Sequence, residues 1–250
     1  MPSFDRPNEQ LLARLADAGL PRTAIAAMLD RHTPVRYPKG RSLFGSGAPA
    51  DVVFLVLTGV VKVYGSRPGS GRILVELAGP GDIAGYADFP DAHGGRSQLF
   101  EAQALTNCSV ALLTRRHIAE VLKDLEPAVL LKLAEAVNSR WASIAYRSAI
   151  FLGMSLRQRL EVVLGEMASR FGARDARGML LTPELAQDEL AEMIGSSRPM
   201  VSKLLMEMTA EGILVREGRR RIVITPHGAS YLPAGMLRRG LPEAGLNPQP

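Results

Sequence analysis

The stretch Leu185–Leu205, LAQDELAEMIGSSRPMVSKLL, decides how the C-terminal part of the chain is built. Leu190, Ala191 and Ile194 fall on one side of a short helix over Gln187–Ile194. Gly195 follows, and glycine is the residue favoured where one helix turns into the next. Ser196 or Ser197 caps a second helix, and Pro199 lies in its first turn, where a missing N–H costs nothing. Val201, Leu204, Leu205 and Met208 form the inward stripe of that helix, which leaves Arg198, Pro199, Ser202 and Lys203 on its outer, N-terminal face. Side chains at those places reach base edges and phosphates when such a helix enters the DNA major groove. Arg198 can bridge guanine O6 and N7, and Lys203 can take guanine or phosphate. Ser196, Ser197 and the N–H groups at the helix start suit a phosphate, whereas Pro199 can only pack, for example on a thymine methyl.

Immediately downstream, Gly212–Val215 and Arg221–Ile224 flank Arg216–Arg220, with turn chemistry at Glu217-Gly218. This reads as a β-hairpin wing that carries Arg219, Arg220 and Arg221 to the DNA backbone, with Arg219 and Arg220 as the candidate contacts. Between Ser196 and Arg221 six basic residues (Arg198, Lys203, Arg216, Arg219, Arg220, Arg221) face three acidic ones (Glu207, Glu211, Glu217), a local balance of +3. The blander readings are an αα-hairpin with no DNA role and a solvated charged turn.

Upstream, Ser155–Phe171 reads as an amphipathic helix and Gly172–Gly178 as a loop. Glu126–Phe151 reads as one long helix. Leu130, Ala134, Val137, Trp141, Ile144, Ser148 and Phe151 follow a 4-3 spacing along it, the pattern of a coiled-coil seam. Val137, Trp141, Ile144, Ser148 and Phe151 are the candidate dimer contacts; the alternative is a helix packed on its own domain. Arg115–Asp124 is a short helix. Before it, Val35–Tyr37, Ser42–Phe44, Val52–Leu57, Val60–Tyr64, Ile73–Leu77, Leu99–Ala104 and Ser109–Thr114 are short β-rich runs between Gly- and Pro-containing breaks, the texture of an antiparallel sandwich or barrel. Residues 5–30 read as helical, and Leu232–Pro250, with four prolines and three glycines, as a poorly ordered tail.

Composition agrees with a two-domain globular chain: 250 residues, 46% apolar and 22% charged, net charge +5. A basic balance favours a polyanionic partner. Cys108 is the single cysteine, so neither an internal disulfide nor a cysteine-ligated iron–sulfur cluster can form within the chain. His32, His93, His117 and His227 are scattered, so no metal site is expected, and nothing resembles the clustered His/Glu ligands of a metal-dependent β-barrel enzyme. No catalytic residues are assigned. No apolar run approaches the roughly 20 residues of a membrane span, and the polar Met1–Gln10 lacks a secretory core; a cytoplasmic protein is expected.

Three segments carry a resemblance to the cyclic-AMP receptor protein / fumarate-nitrate regulator (CRP/FNR) family of transcription regulators. Leu185–Leu205 resembles its helix-turn-helix, Tyr37–Tyr64 with Gly59 after VFLVLT its first β-roll strands, and Gly81-Asp82-Ile83-Ala84-Gly85 with Arg96-Ser97 its phosphate-binding cassette. The resemblance implies an α+β chain. A cyclic-nucleotide-binding-like antiparallel β-roll would occupy 1–125, a long dimerisation helix and hinge 126–153, and a winged helix-turn-helix 154–231. It also implies a homodimer on a palindromic operator in double-stranded DNA, with RNA polymerase as a candidate partner.

In the family's cyclic-AMP binders a short helix after Gly-Asp supplies N–H groups and a glutamate to the ribose, and an Arg-Ser pair holds the phosphate. Here Gly85, Tyr86 and Ala87 occupy the first part, with Tyr86 at the glutamate position, and Arg96 and Ser97 match the pair. The polar pair on the long helix that receives the purine corresponds to Ala142 and Ser143. These departures predict an anionic ligand held otherwise than in the standard cyclic-AMP mode. A cyclic nucleotide or cyclic di-GMP is the candidate; a constitutively active, ligand-independent regulator is the alternative.

Overall fold

The computed structural model describes residues 11–12, 15–16, 20–21, 23–25, 29, 33–48, 52–67, 71–85, 87–90, 96–98, 100–218 and 220–231, without the side chains of 66–67, 71, 87–90, 96–98, 115, 139–141, 143, 146–150 and 231. The expected tail 232–250, Tyr86, His93 and Arg219 lie outside the described residues, as does much of the expected helix over 5–30. The chain divides into two compact units, Met1–Arg147 and Ser148–Pro250.

The first unit is built from β1 (Val35–Tyr37), β2 (Ser42–Phe44), β3 (Val52–Thr58), β4 (Val61–Arg67), β5 (Gly71–Ala78), β6 (Ile83–Ala84), β7 (Ala87–Pro90), β8 (Arg96–Gln98), β9 (Phe100–Ala104), β10 (Cys108–Thr114) and α1 (Arg115–Leu122). Two four-stranded antiparallel sheets, ordered β1-β10-β3-β6 and β2-β9-β4-β5, are accompanied by a two-stranded β7-β8 ribbon. Strand β3 explains the arrangement. Its Phe54 and Val56 enter a core with Val61, Val63, Ala78, Ala102 and Val110, which draws on both sheets. Its Leu55 and Leu57 face the other way, into a cluster with Leu11, Leu15, Leu20, Ile25, Ala111 and Leu113. Covered on both faces, β3 tolerates no polar alternation, hence the unbroken apolar run. Each large aliphatic side chain so buried contributes about 1.5–3 kcal/mol.

Gly59 closes the β3–β4 turn at φ +79°, and a Cβ there would stand 2.4 Å from the Asn107 carbonyl oxygen. Glycine is therefore required by both conformation and space. Asp82 fixes the next turn: its Oδ2 accepts the Gly79 N–H at 2.8 Å, while Gly81 N–H donates to the Val56 carbonyl at 2.9 Å. That turn delivers the chain into β6 and then to β7, which pairs antiparallel with β8 through Ala87↔Gln98, Phe89↔Ser97 and Pro90↔Arg96. Ala87–Pro90 and Arg96–Gln98 of the cassette segment thus run as paired strands where the resemblance implied a short helix.

Helix α2 (Pro127–Gly153) runs through the division between the units. The second unit continues with α3 (Leu156–Phe171), β11 (Gly172–Asp175), β12 (Gly178–Leu181), α4 (Gln187–Ile194), α5 (Arg198–Ala210), β13 (Leu214–Glu217), β14 (Arg221–Ile224) and α6 (Pro226–Tyr231). Ser155 starts α3 with a capping box: its Oγ accepts Gln158 N–H at 3.3 Å, and its own N–H donates to Gln158 Oε1 at 2.9 Å. Leu160, Val163, Leu164 and Met167 of α3, Leu190 and Ile194 of α4, and Val201, Leu205 and Met208 of α5 are buried. The expected loop Gly172–Gly178 is a correction: it forms β11 and the turn into β12, because β12 pairs with the wing strand β14 and extends the wing to a four-stranded sheet ordered β11-β12-β14-β13.

Candidate nucleic-acid interface

Helices α4 and α5 meet at Gly195, which adopts the left-handed conformation at φ +67°. Its N–H and that of Ser196 both return to the Ala191 carbonyl, the latter at 2.9 Å, so the end of α4 is satisfied within the turn. Arg159 of α3 supports the same corner. Its Nη1 donates to the Ile194 carbonyl at 3.3 Å and its Nε to the Met154 carbonyl at 3.2 Å, with the guanidinium 5.8 Å from the Phe151 ring centroid. Arg157 anchors the far end of α5: Nη1 donates to Glu211 Oε1 at 2.6 Å, and Nε to Glu161 Oε1 at 2.9 Å. These carboxylates hold the Arg157 guanidinium well above its usual pKa.

On α5 the inward stripe Val201, Leu204, Leu205 and Met208 is buried, and Arg198, Pro199 and Lys203 are exposed, with Ser202 half-buried. Ser197 occupies the N-cap position but its hydroxyl makes no capping bond; Ser196 is half-buried beside it. Each of the two exposed cations has a carboxylate near it: Arg198 Nη1 lies 3.7 Å from Asp188 Oδ2, and Lys203 Nζ 3.9 Å from Glu207 Oε1. A recess of about 420 Å³ is lined by Gln187, Arg198, Pro199, Ser202 and Arg216. Gln187 and Arg216 join this face beyond the residues that the helix spacing points to, as does Asp188 through its approach to Arg198. Arg216 carried a signal, as the first of the wing's basic residues.

The wing turns at Glu217-Gly218, with Gly218 at φ +64°. Arg220 is exposed there. Arg221 is not available in the same way: its Nη2 lies 3.3 Å from Asp175 Oδ2 and its Nε 3.0 Å from Glu217 Oε2. Arg177 completes the lattice, with Nε 3.0 Å from Asp175 Oδ1 and Nη1 2.5 Å from Glu217 Oε1. Hydrogen bonds from Arg177 hold the Asp175 carboxyl down at about 2 and lower that of Glu217.

In the first unit, Gly85 is buried at φ +99°, and the backbones of Ala87, Arg96 and Ser97 lie in the β7–β8 ribbon. Ala142 is exposed on α2; the Ser143 side chain lies outside the described residues. Of the expected seam, Val137 is 55% and Leu130 38% exposed, Ile144 and Phe151 are half-buried, and the side chains of Trp141 and Ser148 are outside the described residues. Leu130, Leu133, Ala134 and Val137 share an apolar groove with Leu122 and Asn138. Cys108 is buried in β10, and burial pushes its thiol up to about 11. Among the described residues no group of three His, Cys, Asp or Glu could hold a metal ion, and no helix is long and apolar enough to cross a membrane.

Known proteins match this arrangement segment by segment. The cyclic nucleotide-binding domain family matches residues 34–124 and the Crp-like helix-turn-helix domain family residues 158–227. The CRP-like cAMP-activated global transcriptional regulator of Mycobacterium tuberculosis (strain ATCC 25618 / H37Rv) is 26% identical over 216 residues, covering 86% of this chain and 95% of that protein. The chain belongs to the CRP/FNR family. Solved CRP/FNR structures share the fold. FixK2 from Bradyrhizobium japonicum superposes with a TM-score of 0.66 at 22% identity, over 80% of this chain and 96% of that one. The c-di-GMP responsive global regulator CLP of Xanthomonas campestris does so with a TM-score of 0.66 at 18% identity, over 82% and 99%. As a CRP/FNR-type transcription regulator, the chain combines a cyclic nucleotide-binding domain with a DNA-binding helix-turn-helix.

Proposed function

We propose that this chain is a homodimeric, sequence-specific regulator that reads a palindromic operator with Arg198 and Lys203. The observation that carries the reading is α5 itself: its apolar stripe is fully used in the core, while its N-terminal outer face presents two cations beside an unused cap hydroxyl. Ser196, Ser197 and Ser202 take phosphates or base edges, Pro199 packs on a base, and Arg219 and Arg220 touch the backbone from the wing. A second copy covers the groove along α2, with Val137, Trp141, Ile144, Ser148 and Phe151 in the seam, so that the two reading helices lie about 34 Å apart, one DNA turn. The units 1–125, 126–153 and 154–231 serve as sensor, dimer helix and DNA-binding domain, and the protein works in the cytoplasm.

Gel-shift titration against a genomic fragment library tests the DNA reading. Replacing Arg198 and Lys203 by alanine together should weaken binding at least tenfold and flatten its salt dependence by about two contacts. Unchanged affinity and slope would place the interface elsewhere.

The β-roll controls this dimer through an anionic ligand bound in the Gly85, Tyr86, Ala87, Arg96, Ser97 region, with Ala142 and Ser143 facing it from α2. A ligand acts by favouring one of two dimer poses. One relative is described as cAMP-activated and one structural neighbour as c-di-GMP responsive. The strand pairing of Arg96 and Ser97 with Pro90 and Phe89 favours a mode other than the standard cyclic-AMP one. Calorimetry with cyclic AMP, cyclic GMP and cyclic di-GMP decides: tight cyclic-AMP binding would sink the departure from the standard mode, and no heat with any of them favours the ligand-independent regulator.

A further inference from the structure

A carboxylate on a surface that meets DNA opposes binding, because every phosphate repels it. Asp188 is such a carboxylate. It is 64% exposed, and its Oδ2 points across the helix-turn-helix corner to Arg198 Nη1 at 3.7 Å. Its neighbour Gln187 lines the recess that Arg198, Ser202 and Arg216 also line, so Asp188 sits at the rim of the proposed reading face. Asp188 lies in the first turn of α4, where a carboxylate suits the helix dipole, but it makes no capping hydrogen bond. The start of α4 is served by Glu189, whose Oε2 accepts the Ala186 N–H at 2.7 Å.

What Asp188 can do is act on Arg198. A guanidinium is a planar fork of five donors on a long stem with many rotamers. A carboxylate beside one terminal nitrogen narrows the rotamers and leaves the remaining edge to meet guanine O6 and N7 together. The Lys203–Glu207 pair differs in kind. It lies four residues apart along one helix, and a lysine has no plane to orient.

We propose that Asp188 is a specificity-determining residue that orients Arg198 toward a guanine edge while lowering affinity for DNA lacking that base. This rests on the reading of Arg198 given above. The test uses full-length protein and fluorescence anisotropy on three duplexes of one length: an operator selected from a random library, the same operator with the Arg198-dependent guanine replaced, and an unrelated sequence. Asp188→Asn should bind unrelated DNA about 2- to 5-fold more tightly and the operator about 2- to 5-fold more weakly, the range of one exposed ion pair. The cost of replacing the guanine should shrink. In an Arg198→Ala background, Asp188→Asn should raise affinity for all three duplexes by one common factor. The proposal is overturned if Asp188→Asn, with Arg198 present, raises all affinities equally, lowers all of them, or changes none. A wild-type protein that fails to prefer any selected operator would instead remove the DNA-reading function itself, and that is visible before any variant is made.

Discussion

Two glycines with nearly the same backbone conformation do different jobs. Gly195 has φ +67° and Gly59 φ +79°, but only Gly59 is walled in, by the Asn107 carbonyl and Cys108. Nothing but the Arg159 guanidinium, 3.7 Å away, borders the Cβ position of Gly195. Gly195→Ala should therefore cost only the left-handed penalty of about 1–2 kcal/mol. Gly59→Ala should add about 1–3 kcal/mol of overpacking to the same penalty. Chemical denaturation of the two variants checks the order; equal losses would mean that the β3–β4 turn relaxes around the methyl group. At this scale the sequence was readable. Gly195, the buried stripe of α5 and the exposure of Arg198, Pro199 and Lys203 follow from spacing alone, since local helix geometry fixes them. The ion pairs were not readable, because Asp175, Arg177, Glu217 and Arg221 meet only after two hairpins have paired.

At the scale of elements, the hairpin β11–β12 is where reading from sequence failed, and the reason is physical. Gly172–Asp175 shows no apolar alternation, and three of its four residues are exposed. Its one strand partner is the neighbouring β12, which is itself held in the sheet by β14, more than forty residues on. The cassette hairpin failed likewise, for Ala87–Pro90 contains a proline and has no strand signature of its own. The strands β1 and β2, with their own β-rich composition, were found at their observed bounds. The hairpin–wing lattice also carries a pH dependence. Asp175 has a folded pKa of about 2 against an ordinary 3.8, and Glu217 is lowered as well. A depressed carboxylate stabilises the fold above its unfolded pKa and loses that contribution as pH falls through the folded value. Melting of the second unit should thus be insensitive to this lattice at pH 5–7 and weaken from about pH 4 downward. Asp175→Asn should lose part of that acid sensitivity in thermal melts; an unaltered acid limb would show that other carboxylates set it.

For the whole molecule, the decisive quantity is what covers α2. Leu130, Leu131 and Val137 are exposed at 38%, 62% and 55%, and Leu130 and Val137 lie in the proposed seam. Val137→Glu places a charge in the proposed seam and should convert the dimer to a monomer by sedimentation velocity, with a parallel loss of operator affinity. A variant that stays dimeric would move the interface off this stripe.

Strand β3 has one more consequence, for the chain as it is made. VVFLVLT is apolar on both faces, and its main partner β10 pairs Thr58 with Ser109, some fifty residues later. A nascent chain therefore emerges from the ribosome with a sticky, low-charge strand whose pairing strand β10 and later core partners have not yet been synthesised, although Leu11–Ile25 on its other face have. The sheet β1-β10-β3-β6 can close only once Thr114 has cleared the exit tunnel, so β3 waits unpaired while some fifty further residues are made.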